Sequence, residues 1–362
     1  MILTNPKKIL IIIQRSNGDV FLSRSLIEQL QKSLRPKSID LLVNDDTLPI
    51  AKLIPHIGQI YTFSYFKKKN TQWAQEKDLI KKIFRKYDLS INLTASDRSV
   101  IYALLASKNA ISAVEKNSKK SWWKKLLLKG TYSFDYSRHI LLNNLEPLRC
   151  MGIALTKVQV APTISKTANN SIKSKLKDLT VDKFLIFHPS AQYRYKIYPK
   201  NLRNDLLKLL NQLKLPIIIT GAKNLIDLEI KKTLPILDNV FDFIGQTSIE
   251  EYLALSNLSL GYVGMDTLNM HIAAVQNKPI FAIFGPTVLK TWAPWSNELQ
   301  LSATNNIPLQ TYGKITIFQA DMKCVACGQA GCDGKGKSLC LDQISPKLIF
   351  NEINDWYQNA EF

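Results

Sequence analysis

The segment Gly264-Met265-Asp266-Thr267-Leu268-Asn269-Met270-His271 opens a predicted helix directly after an apolar strand. The start of a helix presents unpaired N–H groups and a partial positive charge, a combination that suits phosphate. Asp266 is placed to cap that helix, Thr267 adds a hydroxyl, and His271 follows one turn on. A second polar loop, His188 to Pro199, carries Ser190, Arg194 and Lys196 after another apolar strand, and a cation there could neutralise a leaving diphosphate. Near the start of the chain, Gly18-Asp19 follows the first strand, where a carboxylate suits a general base acting on a hydroxyl. Taken singly, each has a plainer reading: Asp266 and Asp19 as helix caps, His271 as a core histidine, the 188–199 loop as an exposed basic turn.

Cysteines form the densest metal-type pattern, Cys324-x2-Cys327-x4-Cys332-x7-Cys340. Four thiolates at such spacing could hold structural zinc or iron, although seven residues in the last gap are untypical of a zinc ribbon. Reduced structural thiols or a disulfide are the favoured reading, and no metal ligand is assigned.

Charge is unevenly shared. Residues 1–180 hold 31 Lys and Arg against 13 Asp and Glu, whereas residues 181–362 hold 17 against 16. This asymmetry implies an anionic partner for the first half. The stretch Lys119-Lys120-Ser121-Trp122-Trp123-Lys124-Lys125-Leu126-Leu127-Leu128-Lys129 mixes cations with Trp and Leu, as does Tyr65-Phe66-Lys67-Lys68-Lys69. Lys119, Lys120, Trp122, Trp123, Lys124 and Lys125 are therefore candidates for contact with an acidic membrane surface or an anionic acceptor; a basic helix packed by its apolar face is the alternative. No finger, ribonucleoprotein or helix-turn-helix pattern points to nucleic acid.

These residues need elements to position them. Ile9–Ile13, Ile39–Val43 and Leu89–Leu93 read as buried strands, with a helix over Asp19–Leu34. The alternation restarts after residue 180. Predicted strands lie at Phe184–Phe187, Ile217–Gly221, Val240–Ile244, Leu258–Val263 and Pro279–Phe284, with helices between them. Apolar strands alternating with helices imply two parallel, doubly wound α/β sheets. Ligands bind at the carboxyl ends of such strands, and the polar residues above fall there, together with Gly221. The expected organisation is a domain over 1–165, a polar linker over 166–180, a second domain over 181–345 with the cysteine insert 324–340, and a closing helix over 346–362.

Length and composition agree with two domains: 362 residues, 46% hydrophobic and 9% aromatic. A disordered or fibrous chain is excluded. Apolar runs fall short of a membrane span, and residues 1–15 lack a signal-peptide layout, so a cytoplasmic location is expected. No Gly-x-Gly-x-x-Gly follows a predicted strand, which argues against a dinucleotide dehydrogenase.

Taken in order, the pieces resemble glycosyltransferase family 9, the heptosyltransferase family of lipopolysaccharide core assembly. The resemblance is carried by Gly245-Gln246-Thr247-Ser248, by Asp266-Thr267 with His271-Ile272-Ala273-Ala274, and by Phe284-Gly285-Pro286-Thr287 with Trp292 and Pro294. Gly18-Asp19-Val20 after the first strand, and Lys196-Ile197-Tyr198-Pro199 in place of Lys-x-Trp-Pro, are similar to the family's elements. The resemblance implies a GT-B architecture, two Rossmann-like domains facing a central cleft, the first receiving the acceptor and the second the nucleotide sugar. It implies inverting transfer, with Asp19 as base. Lys196 would contact the donor phosphates and Asp266 the sugar hydroxyls. Thr267 and the Leu268 backbone would lie on the diphosphate with His271 alongside, and Ser190 and Gly221 complete the implied donor set. ADP-heptose is the implied donor and a lipid-linked core saccharide at the inner membrane face the acceptor, with no cofactor beyond the donor. Transfer of another sugar, transfer to a protein, and a non-catalytic nucleotide- or nucleic-acid-binding role are the alternatives. The chain departs from the family in having Leu268 for the usual Gly, Ser23-Arg24-Ser25 for Thr-Pro, a shorter loop before Gly18, and Leu225 where an acid is usual, with Asp227 or Glu229 as substitutes.

Overall fold

A computed structural model describes residues 5–67, 69–116, 118–155, 161–334 and 336–360, and the side chains of Lys69, Asn70, Ser118, Lys120 and Asp333 are not described. The chain divides into two compact units, residues 1–160 and 161–362.

The first unit runs β1 (Lys8–Ile13), α1 (Asn17–Leu22), α2 (Arg24–Leu34), β2 (Ser38–Asn44), α3 (Leu48–Ala51), β3 (Ile57–Phe63), α4 (Lys69–Ile83), β4 (Leu89–Asn92), α5 (Asp97–Ala106), β5 (Ala110–Val114), α6 (Ser118–Leu127), β6 (Gly130–Ser133) and α7 (Ile140–Cys150). Its strands pair in parallel in the order β3-β2-β1-β4-β5-β6. Ile9 to Ile13 are wholly buried because helices cover both sheet faces. The predicted single helix over Asp19–Leu34 is two helices. Ser23 Oγ donates back to Val20 O at 2.7 Å, a side-chain competition that bends a helix where it occurs.

The second unit runs α8 (Lys166–Asp178), β7 (Leu185–His188), α9 (Lys200–Asn211), β8 (Ile217–Ile219), α10 (Leu225–Lys231), β9 (Val240–Asp242), α11 (Ile249–Leu258), β10 (Gly261–Met265), α12 (Leu268–Val275), β11 (Ile280–Ile283), α13 (Leu289–Trp292), β12 (Leu309–Tyr312), β13 (Ile315–Phe318), α14 (Leu339–Asp342) and α15 (Pro346–Asn359). The sheet order is β12-β13-β11-β10-β7-β8-β9, parallel except for the β12–β13 hairpin at one edge. In both units the first strand lies beside the fourth, so the connections diverge between them. That reversal leaves the crevice in which open α/β sheets take ligands. The crevices lie between β1 and β4, and between β7 and β10.

The polar stretch expected as a linker over 166–180 is instead helix α8, part of the second unit. Its Ala168, Ile172 and Leu176 recur every four residues and are buried, while the rest of the helix is polar. It docks on α11 through Glu251, which accepts Ser171 Oγ at 2.6 Å, Lys175 Nζ at 2.8 Å and Ser248 N at 2.8 Å. The closing helix α15 also packs within this unit, against α9. Residues 361–362 of the expected 346–362 helix lie outside the described residues.

Burial alone would raise the Glu251 carboxyl, but the Lys175 and Ser171 donors outweigh it and hold it down to about 2. A depressed carboxylate adds stability above its unfolded value, near 4.5, and loses it as pH falls toward 2. Glu251→Gln should cost about 1–2 kcal/mol at neutral pH, after allowance for solvent screening. In urea unfolding at a series of pH values, the gap to wild type should narrow steadily below pH ~4.5.

Candidate active site

In the second unit, β7 and β10 deliver their loops to the same crevice. The strands run in register with Gly264 opposite His188. Gly264 has φ +155°, and a Cβ there would sit 2.3 Å from the His188 carbonyl oxygen, so only glycine allows this approach. After it, Asp266 is buried and accepts Lys196 Nζ at 2.9 Å across the β7/β10 crevice. Burial opposes the Lys196 charge, but the Asp266 carboxylate outweighs it and raises the ammonium above its ordinary value. Asp266 is therefore not the cap of α12, as expected from sequence. Thr267 occupies that position, with no side-chain cap bond, and its Oγ1 lies 3.5 Å from the Tyr262 hydroxyl. Leu268 is the first residue of α12, and His271 is buried one turn on.

Ser190 and Ala222, the residue after Gly221, are joined through a residue that the sequence offered only as a substitute acid. Asp227 is buried and accepts Ser190 Oγ, Ala222 N at 2.5 Å and Asn224 Nδ2 at 2.8 Å. It thereby ties the loop after β7 to the loop after β8. Glu229 instead pairs with Arg194 at the surface. His188 joins the same network: its Nδ1 lies 3.0 Å from Thr220 Oγ1 and 3.1 Å from Asn269 Nδ2. Burial drives the imidazole down to about 4 against the pull of Asp227, so the ring is neutral at neutral pH and accepts from the amide. Sequence reasoning did not single out His188 and Asn269; the available signal was a histidine ending an otherwise apolar strand.

In the first unit, Asp19 stands at the carboxyl end of β1, beside β4. It is 3% exposed. Its Oδ2 accepts Ser16 Oγ at 2.9 Å, Arg15 Nε at 3.2 Å and Ser16 N at 3.3 Å, while Oδ1 has no hydrogen-bond partner. Asp19 is the third residue of α1, where its Oδ2 takes the N–H of the cap residue Ser16 in a capping box and Oδ1 stays unbonded.

The model of glycosyltransferase family 9 (heptosyltransferase) matches residues 77–319. The chain belongs to glycosyltransferase family 9. Lipopolysaccharide heptosyltransferase 3 of Escherichia coli K12 is 27% identical over 316 residues, covering 80% of this chain and 86% of that relative. A family 9 glycosyltransferase from Veillonella parvula superposes with a TM-score of 0.76 at 15% identity, covering 99% of each chain. The Escherichia coli ADP-heptose lipopolysaccharide heptosyltransferase II does so with 0.70 at 19% identity, covering 98% of this chain and 100% of that one. The shared fold is the GT-B type, with two Rossmann-like units.

The basic stretch of this glycosyltransferase divides by helix face. Lys124 was expected at a binding surface, but it is fully buried: its Nζ meets Asp97 at 2.6 Å, both Glu115 oxygens at 2.8 Å and Ala95 O at 2.9 Å. Two carboxylates and a carbonyl satisfy the ammonium completely, so it serves as an internal tie between α6 and the start of α5. Trp123 is half-buried and packs on the core of the first unit. Lys119, Lys125, Trp122, Leu126 and Leu127 face outward, Trp122 with 64% and Leu126 with 75% of its surface exposed. The side chain of Lys120, and Lys68 in the second cluster, lie outside the described residues. No helix among the described residues is long and apolar enough to cross a membrane.

Cys324, Cys327, Cys332 and Cys340 are free thiols lining one cavity of about 420 Å3. Burial, and then the three neighbouring cysteines, pushes the Cys340 thiol up to about 11. Among the described residues no three Cys, His, Asp or Glu side chains are grouped to hold a metal ion.

Removing Lys124 leaves two carboxylates facing one another without their cation. Because Asp97 and Glu115 stay partly in water, Lys124→Ala should cost about 2–3 kcal/mol, less than a wholly buried pair. Lys125→Ala on the exposed face should stay within about 0.5 kcal/mol of wild type in the same urea titration.

Proposed function

We propose that this family 9 enzyme transfers a heptose from ADP-heptose to an anionic, lipid-linked lipopolysaccharide core saccharide with inversion at the anomeric carbon. The observation that carries the reading is the Lys196–Asp266 pair across the β7/β10 crevice, where α/β sheets hold nucleotides. An ammonium has three N–H donors and Asp266 takes one, so Lys196 keeps donors for a diphosphate. Asp266 has a second oxygen for sugar hydroxyls. The amides that begin α12 and the Thr267 hydroxyl add to the charge stabilisation. Ser190 and Gly221, in the loops after β7 and β8, and His271, one turn into α12, complete the donor set in this reading.

The reaction is one displacement. The acceptor hydroxyl gives its proton to Asp19, and its oxygen forms a bond to the anomeric carbon. The bond from that carbon to the diphosphate oxygen breaks, and its electron pair leaves with ADP. Asp19 suits the base role because three donors hold one oxygen while the other is unbonded. No cofactor beyond the donor is assigned.

The acceptor side accounts for the charge. Residues 1–160 carry 27 Lys and Arg against 12 Asp and Glu, a net of +15. The exposed Trp122, Leu126 and Leu127 beside Lys119 and Lys125 suit peripheral contact with an acidic leaflet, which in this reading is the cytoplasmic face of the inner membrane.

Purified protein should release ADP from ADP-heptose in the presence of core acceptor and show little turnover with GDP- or UDP-sugars. Asp19→Ala should lower kcat by on the order of 100-fold or more while leaving affinity for ADP unchanged. Full activity in that variant would remove Asp19 from the mechanism, and turnover of a different nucleotide sugar would reassign the donor.

A further inference from the structure

Among the described residues of the first unit, every buried side-chain atom without a hydrogen-bond partner belongs to Gln14, Asn17, Asp19, Arg24, Asn44 or Asn144. They are not scattered. Gln14 ends the run of β1, Asn17 and Asp19 lie on α1, Arg24 opens α2, Asn44 ends β2, and Asn144 is on α7, which packs against both α1 and α2. Protein interiors satisfy nearly all such atoms, so this concentration around one carboxylate marks a place whose partners come from a ligand. Amide donors and acceptors in mixture suit the hydroxyls of a saccharide.

Arg24 differs in kind from its neighbours. It is 5% exposed, and neither Nε nor Nη1 has a hydrogen-bond partner. Its one carboxylate neighbour among the described residues, Glu28, stands 3.7 Å from Nη2, an ion contact longer than a hydrogen bond, and Glu28 also faces His56 at 3.6 Å. Ser23 continues the helical path, since its N–H reaches Asp19 O and its carbonyl accepts Ile27 N. Arg24 thus begins α2 directly after α1, and both helices pack against α7. A buried guanidinium with N–H groups left on Nε and Nη1 favours an oxyanion over a neutral hydroxyl, because hydrogen bonds between charged groups are the stronger.

We infer that Arg24 binds an anionic substituent of the acceptor saccharide, a phosphate or a sugar carboxylate, in a pocket formed by α1, α2 and α7 on the Asp19 side of the first unit. This rests on the reading above that the acceptor is an anionic core saccharide. Arg24 acts in binding and selection, and Asp19 alone handles the proton.

The test is titration calorimetry of the full chain with core oligosaccharide freed of lipid A, in three forms: intact, dephosphorylated and carboxyl-reduced. Wild type is compared with Arg24→Lys, Arg24→Met and the double variant Arg24→Met/Glu28→Gln. The double variant removes both buried charges and guards against misfolding, and thermal melts check each protein. Wild type should bind the intact saccharide at least tenfold more tightly than Arg24→Met, with Arg24→Lys between them. Stripping the group that Arg24 reads should bring wild type down to the level of Arg24→Met and leave that variant unchanged. Loss on dephosphorylation alone identifies a phosphate, and loss on reduction alone a carboxylate. The assignment is overturned if wild type binds and consumes ADP-heptose while the folded Arg24 variants bind equally well, or if stripping weakens variants and wild type alike. A wild type that neither binds the saccharide nor turns over the donor overturns the reading of function, and this assignment with it.

Discussion

One ion pair concentrates the logic of the second unit. Lys196 and Asp266 come from loops 70 residues apart in sequence and meet at 2.9 Å because β7 and β10 are parallel neighbours that end together. In a doubly wound sheet the helices after those two strands leave in opposite directions, so side chains at the strand ends face a crevice. The contact depends on Gly264, whose missing Cβ lets β10 close on the His188 carbonyl. It also depends on Asp227, which holds the Ser190 and Ala222 loops from beneath. These supports fix the loops around the Lys196–Asp266 pair.

The first unit applies the same topology to a different end. At its β1/β4 crevice the Asp19 carboxylate pairs with Arg15, with one oxygen anchored and one unbonded. The surrounding polar atoms are buried and unpaired in a way that would be costly in a purely structural core. Each unit therefore ends a strand on an ion pair, Arg15–Asp19 in the first and Lys196–Asp266 in the second, and the excess of basic residues lies in the first.

Much of this was legible in the sequence, and the failures have physical reasons. Runs such as Ile9–Ile13 and Ile217–Ile219 were readable because strands buried on both faces carry no alternation to confuse them. Short strands such as Gly130–Ser133 carry too few apolar residues to stand out. Helix α8 resembled a linker because its buried stripe is only Ala168, Ile172 and Leu176 amid polar residues. Lys124 looked like a surface cation because its partners Asp97 and Glu115 are distant or inconspicuous in sequence. Asp266 looked like a helix cap because nothing local reveals that Lys196 takes its carboxylate. Placement on strand ends was thus predictable from pattern, while side-chain pairing depended on tertiary neighbours.

Amide hydrogen exchange with and without saturating ADP bears most directly on the claim that the β7/β10 crevice holds the nucleotide. Protection should concentrate in residues 189–197 and 264–271, the two loops that meet at the Lys196–Asp266 pair. Protection confined to other segments, or none while calorimetry shows ADP bound, would contradict it.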